Sequence, residues 1–386
     1  MGSVWTRYDS KALDQVHDNI LKTVEESAYR SGRAVRFKRD QTELANGKHV
    51  IHSIECESMY RKDVNNDSPI LLMHGYGAGS LLFANNLAGL AHETGRKVIA
   101  VDWLGFGASS RPKFKGKQVD DTVEWFLDTF DEWRATKNLE KFDMIAHSMG
   151  GYLGAFYCLG KGKGRVDNLV LASPVGVPHA PAEMKTSSNT LKILRKLWNW
   201  GVTPNHLVRG AGPYGHRLVE KAVNARFGDV DEERLGLSGG DLQTRTNVVD
   251  YLFHITAAPG SGEHALSKLL APGAYAKKPL CEELPKLEGV NLLFVYGDRD
   301  WMDASAGERL AFSSLQHLPT AEVITVPGSH HVYLDHPEVF DKQVSTFFKE
   351  NSCEKDSTRV NNRIRGYINS FYQVRHPRNH VCCLSS

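Results

Sequence analysis

Three residue types that together can activate a hydroxyl lie in one order along the chain. Ser148 comes first, then an aspartate among Asp298, Asp300 and Asp303, then a histidine at His330 or His331. A serine hydroxyl is a poor nucleophile until a base takes its proton. Histidine titrates near neutrality, so it can accept that proton and return it to a leaving group. A buried carboxylate fixes the imidazole tautomer and stabilises the cation. Asp300 is preferred as the acid, with Asp303 its serious rival. His330 is preferred to His331, because Gly328 closely precedes it and Asp335 and Pro337 follow at the spacing such a loop shows. His147, beside the serine, is assigned a structural role.

The serine sits in Ala146-His147-Ser148-Met149-Gly150-Gly151, an apolar run leading into a small residue, the serine and two glycines. This is the sequence form of a strand that turns sharply into a helix with the nucleophile at its tip. Such a turn leaves room only for small residues two places on either side, which alanine and glycine satisfy. A second strand end, Ile70-Leu71-Leu72-Met73 running into His74-Gly75-Tyr76-Gly77, is suited to hold an oxyanion. The backbone N–H groups of Tyr76 and Met149 are the expected donors.

These sites require elements that bring them to one edge. Buried-strand runs at 69–73, 97–103, 142–147, 168–172, 290–296 and 321–326 alternate with helical patterns at 120–137, 149–160 and 337–350. Strands alternating with helices predict a parallel sheet covered on both faces. Ligands bind such a sheet at the carboxyl ends of its strands. Two alternating segments, 35–38 and 50–55, add strands ahead of it. Residues 12–24 place Leu13, Val16, Ile20, Leu21 and Val24 at helical spacing. The alternation stops near Pro174 and resumes at Val290; between them the chain is helical and broken by Gly and Pro. The expected organisation is an N-terminal helix and lead-in (1–45), a first core part (46–174), a helical cap (175–285), a second core part (286–350) and a basic tail (351–386).

Composition bounds the rest. The chain has 386 residues and a net charge of +2, which calls for no nucleic-acid partner. Lys355, Arg359, Arg363, Arg365, Arg375 and Arg378 outnumber Glu354 and Asp356, so the tail carries +4 and the remainder −2. Val360, Ile364, Tyr367, Ile368 and Phe371 recur at helical spacing among those arginines, the profile of a basic amphipathic helix on an anionic surface. Leu191 to Trp200 has a similar mixed profile and fits either an interface or the protein core. Met1-Gly2 opens a myristoylation-type pattern, and Cys383 a prenylation-like one beside Cys382. Two such signals together would anchor a chain at a membrane. The six cysteines form no C-x-x-C, so neither a zinc site nor a disulfide framework is expected. No metal or other cofactor is expected. No apolar run is long enough for a membrane span, and a reducing cytosol is the expected compartment.

The motifs resemble one lipid-handling branch of the α/β-hydrolases. They are His74-Gly75-Tyr76-Gly77, Asp102-Trp103-Leu104-Gly105-Phe106-Gly107, His147-Ser148-Met149-Gly150-Gly151, Arg209-Gly210-Ala211-Gly212-Pro213 and His330-His331-Val332-Tyr333-Leu334-Asp335. That branch holds N-acyl-phosphatidylethanolamine lysophospholipases, a mitochondrial cardiolipin deacylase and the co-activator of the lipid-droplet triglyceride lipase. The resemblance covers residues 65–350 and implies an α/β-hydrolase fold with an inserted cap. It implies a serine hydrolase acting on acyl esters of phospholipids or lysophospholipids through Ser148, Asp300 and His330. A location peripheral to membranes or lipid droplets goes with it. Two alternatives follow from the same likeness. Some members are assigned lysophosphatidic acid acyltransferase activity through a His-x-x-x-x-Asp motif, which here is His330 to Asp335 and shares the triad histidine. The co-activator is a non-catalytic partner of a lipase; it has lost the serine that this chain keeps.

Overall fold

A computed structural model describes residues 8–45, 47–60, 68–181, 196, 198, 200–227 and 242–352. Gly2, most of the 191–200 segment, the tail helix, Cys382 and Cys383 lie outside the described residues.

Eight strands form one sheet in the order β1-β2-β4-β3-β5-β6-β7-β8. They are β1 (Val35–Glu43), β2 (Val50–Ser58), β3 (Ile70–Met73), β4 (Val98–Val101), β5 (Phe142–His147), β6 (Val166–Ala172), β7 (Asn291–Gly297) and β8 (Thr320–Val326). The first two ladders, β1–β2 and β2–β4, are antiparallel. Every later ladder is parallel. β3 and β5 are buried along their whole length, which is why they read as continuous apolar runs and not as alternation.

Helices cover the sheet: α1 (Ser10–Arg30), α2 (Ala84–Thr94), α3 (Val119–Thr136), α4 (Met149–Leu159), α5 (Pro204–Gly210), α6 (Gly215–Phe227), α7 (Leu242–Ala257), α8 (Ala304–Ser314) and α9 (Pro337–Ser352). α1 starts where Asp9 accepts the N–H of Lys11 at 2.8 Å, an N-cap bond. It buries Leu13, Val16, Ile20, Leu21 and Val24, the stripe its spacing predicts, but runs six residues past the expected end. β1 extends to Glu43, because it pairs along its whole length with β2. The stretch read as a cap falls between β6 and β7 and contributes α5, α6 and α7.

The chain enters at β3, moves to one side for β4, then crosses back to pair β5 with the other side of β3. Neighbouring connections therefore leave the carboxyl ends of β3 and β5 in opposite directions and open a crevice there. The loop holding Gly75 and Tyr76 and the turn holding Ser148 border that crevice.

Candidate active site

β5 delivers Ser148 into a backbone conformation that side chains rarely adopt, φ 53° and ψ −118°. The surroundings hold it there. Its N–H donates to the Ala172 carbonyl of β6 at 3.0 Å, and its own carbonyl accepts the N–H of Tyr152 at 3.1 Å. Space around the turn is minimal: a Cβ on Gly150 would lie 2.5 Å from the His74 carbonyl oxygen. A Cβ on Gly75 would lie 2.8 Å from Cβ of Ser148. Ala146, two places before the serine, is fully buried with its methyl accommodated.

β7 and β8 deliver the other two groups. Nε2 of His330 lies 3.0 Å from Oγ of Ser148, and Nδ1 lies 3.1 Å from Oδ1 of Asp300. The Ser148 hydroxyl is thus placed to donate to Nε2, while Nδ1–H donates to the carboxylate. The His330 and Asp300 side chains are 7% and 1% exposed, so this chain of bonds is nearly closed to water. Burial works against ionisation of Asp300. It is outweighed by the His330 hydrogen bond, by the N–H of Met302 at 3.0 Å, and by the neighbouring Ser173 hydroxyl, which lies outside hydrogen-bond geometry. The carboxyl is held below its ordinary range and stays ionised.

The other candidates have different partners. Asp303 is the N-cap of α8: it accepts the N–H and hydroxyl of Ser305 at 3.0 and 2.6 Å, and its side chain is more than half exposed. Asp298 accepts the N–H of Gly328 at 2.9 Å. Asp335 accepts the hydroxyl of Ser329 at 2.6 Å, which braces the loop carrying His330. His331 packs edge-on against His330. Nε2–H of His147 donates to the His330 carbonyl at 2.9 Å, a structural tie between β5 and that loop.

Met149 opens α4, and the first N–H groups of a helix have no acceptor within it. Tyr76 follows β3; its phenol donates to Asn205 of α5 at 3.2 Å, which links this loop to the segment between β6 and β7. His74 is buried and kept neutral, with its pKa lowered by burial; Nδ1–H donates to the Gly75 carbonyl while Nε2 accepts the Trp103 N–H. It holds the loop by bonding.

Three features escaped the sequence. The Trp301 ring lies 4.8 Å from the His330 ring, although the side chain is 59% exposed. Beside it a cavity of about 270 Å³ is lined by Pro174, Val177, Tyr275, Tyr296 and Met302 among others. Asp102, fully buried, accepts N–H bonds from Ser80, Ala108 and the His52 ring at 2.6, 2.9 and 2.8 Å. Local pattern marks Asp102 only as the end of a strand; its partner His52 stands on β2, fifty positions away.

Known proteins share this plan. The pattern of the alpha/beta hydrolase fold family matches residues 68–337. A 1-acylglycerol-3-phosphate O-acyltransferase of Arabidopsis thaliana is 38% identical over 291 residues, 73% of this chain and 67% of the relative. A protein of Homo sapiens named 1-acylglycerol-3-phosphate O-acyltransferase ABHD5 is 28% identical over 316 residues, 80% of this chain and 84% of the relative. Among solved structures, a bacterial membrane phospholipase A superposes with a TM-score of 0.60 at 19% identity, over 89% of this chain and 92% of that one. The last likeness is one of fold.

Proposed function

The chain belongs to the α/β-hydrolase fold family, and from that premise we propose that it is a serine hydrolase of lipid acyl esters. Ser148 is the nucleophile, His330 the general base and acid, and Asp300 the orienting acid. One observation carries this: both ring nitrogens of His330 are engaged, one at 3.0 Å from a serine hydroxyl, the other at 3.1 Å from an ionised carboxylate.

Chemistry follows from those positions. Oγ attacks the ester carbonyl as His330 takes its proton, and the imidazolium is stabilised by Asp300. The N–H groups of Tyr76 and Met149 receive the developing oxyanion. Collapse expels the alcohol, which leaves with the proton held on Nε2, and an acyl group remains on Ser148. The acceptor oxygen, deprotonated by His330, bonds to the acyl carbon; the bond to Oγ breaks, His330 returns the proton to Oγ, and the acyl group leaves on the acceptor.

The acceptor separates the two enzymatic alternatives. Water gives hydrolysis; a lysophosphatidate hydroxyl gives acyl transfer, the activity named for the plant relatives. The acid of the His330–Asp335 motif bonds Ser329 and not the imidazole, so both outcomes would run through the same histidine. The triad geometry around Ser148 supports the acyl-enzyme common to both, and water, the acceptor always at hand, makes hydrolysis the outcome proposed. The cavity beside Trp301, lined by Pro174, Val177 and Met302 with Asp303 and His179 at its wall, suits a hydrocarbon chain along its apolar side. Exposed Trp200, Leu207, Tyr214 and Leu218 suit peripheral contact with a membrane or droplet surface. Among the described residues no helix is long and apolar enough to cross a membrane.

The test uses a fluorophosphonate probe and lipid substrates. Wild type should label at Ser148 and release fatty acid from lysophospholipid; Ser148→Ala should do neither. An unlabelled wild-type serine would refute the hydrolase. Acyl-CoA-dependent transfer that survives Ser148→Ala, with hydrolysis lost, would refute the acyl-enzyme for the transfer and favour an acyltransferase that uses His330 without the serine.

A further inference from the structure

Four lysines from three separate segments converge on one cavity. Lys117, Lys268, Lys277 and Lys278 line an open bowl of about 420 Å³ together with Gln118, Val119 and Asp120. Lys117 ends the loop between β4 and α3, Lys268 stands on the short turn Leu266–Leu269, and Lys277 and Lys278 follow the bridge between Leu270 and Ala276. Such convergence is unlike a lysine run along one exposed stretch.

The bowl opens on the rim that carries Ser148. α3 follows β4 and must begin at the carboxyl end of the sheet to run back along it. Tyr152, on the helix that starts after Ser148, donates its hydroxyl to the Lys278 carbonyl at 3.0 Å. Tyr275, two positions before Lys277, lines the cavity beside Trp301.

The bowl is short of negative charge. Asp120 is the one carboxylate that lines it, and Lys278 already pairs with it at 3.0 Å. Nζ of Lys277 donates to the Ser267 carbonyl at 2.7 Å. Among the described residues, neither the Lys117 nor the Lys268 ammonium has an ion-pair partner. Burial, and then the Lys268 charge, push Lys277 below the usual lysine range. The α3 N-terminus carries its own capping box, in which the Gln118 side chain accepts the Asp121 N–H and the Asp121 carboxylate accepts the Gln118 N–H at 2.7 Å, so the site rests on the lysines.

We propose that this bowl binds a phosphate group, with Lys117, Lys268 and Lys277 donating to its free oxygens. Phosphate fits better than carboxylate. Lysines act as point charges that can approach a tetrahedral anion from several sides, whereas planar carboxylates are commonly gripped by the arginine fork, and no arginine lines the bowl. The phosphate has two sources, a lipid head group at a membrane surface or a phosphate in solution. Neither depends on Ser148 being a nucleophile.

Full-length wild type is compared with Lys268→Ala/Lys277→Ala, with Lys268→Arg/Lys277→Arg, and with a control, Lys141→Ala/Lys163→Ala. The control pair lies by the amino ends of β5 and β6, each lysine already paired with a carboxylate. Inorganic phosphate is titrated calorimetrically. Phosphatidylcholine vesicles, with and without phosphatidic acid, are used in flotation. The alanine pair should bind at least about tenfold more weakly than wild type, as losing charge-assisted donors requires. The arginine pair should keep most of the binding, and the control all of it. A loss in the calorimetric arm assigns the bowl to a dissolved phosphate; a loss in flotation alone assigns it to the lipid head group. Equal binding by wild type and the alanine pair in both arms overturns the site, as does absence of wild-type binding in both. Because the basic tail is present in every variant, only differences between variants are read.

Discussion

Asp300→Asn removes a charge while leaving a side chain of nearly the same shape. Oδ1 of the asparagine can still accept from His330 and from Met302, which now reach Asp300 at 3.1 and 3.0 Å. On the proposed mechanism, what disappears is the anion that would face the imidazolium formed as Ser148 attacks. At an effective dielectric of about 20, unit charges at the 3.1 Å contact attract by about 5 kcal/mol. That corresponds to a loss in kcat of roughly 10⁴, and the same substitution in a well-studied Ser-His-Asp triad costs about as much. Asp303→Asn is the internal comparison. Its side chain is 58% exposed and caps α8, a task asparagine performs equally well. Its kcat should stay within about threefold of wild type, since an interchangeable cap leaves the fold unchanged. Both variants are assayed on a p-nitrophenyl ester under saturating conditions, with melting temperatures to confirm folding. Equal damage from the two substitutions, or an Asp300→Asn enzyme within about tenfold of wild type, would refute the assignment of the acid.

Other perturbations test the scaffold around that acid. Gly150→Ala drives a methyl to 2.5 Å from the His74 carbonyl oxygen, a backbone atom that cannot step aside; activity should fall by at least about 10² with a lowered melting temperature, and an unaffected enzyme would show that the turn has slack. Tyr76→Phe deletes the bond to Asn205 but keeps the N–H; chemical denaturation should show about 1 kcal/mol of lost stability, with kcat nearly unchanged. A large fall in kcat with normal folding would move the role of Tyr76 from its backbone to its phenol. Burial, then the charge of His52, lower the pKa of His17 to about 3 from 6.5, so the fold holds it neutral. Its contribution is complete above pH 6.5 and is lost as pH falls from there toward 3. Unfolding free energies from urea titrations should decline in that window by up to roughly 1.4 kcal/mol per pH unit, and His17→Phe should flatten the decline; an unchanged slope would assign the acid sensitivity to other groups.

The turn at Ser148 was legible because its needs are local: a buried strand, small residues two places either side, and a helix beginning at once. The strands that carry the acid and base were legible for the same reason, as uninterrupted apolar runs. Which of Asp300 and Asp303 faces His330 was not, because a loop carboxylate and an N-cap draw on the same residue type within one turn of chain. Only the placement of α8 separates them. α2 carried no clear signal; Asn85, Asn86 and Gly89 weaken its helical propensity, and its hold comes from outside, where Nδ2 of Asn86 donates to Asp341 of α9 at 2.8 Å. Trp301 against His330, and Ser173 with its φ of 47° beside Asp300, depend on how loops from β6, β7 and β8 meet. No periodicity encodes such a meeting.

The chain leaves the sheet at the end of β6 and re-enters it at the start of β7, and those two strands are bonded neighbours, with Asn168 beside Asn291 and Ala172 beside Val295. The spacing between the serine strand and the acid strand is therefore set by the ladder across β6, whatever is spliced in between. The segment between them adds to the core without entering that ladder: Tyr251 and Phe253 pack with the residues of α1, and Leu269 and Leu280 with those of α3 and α4.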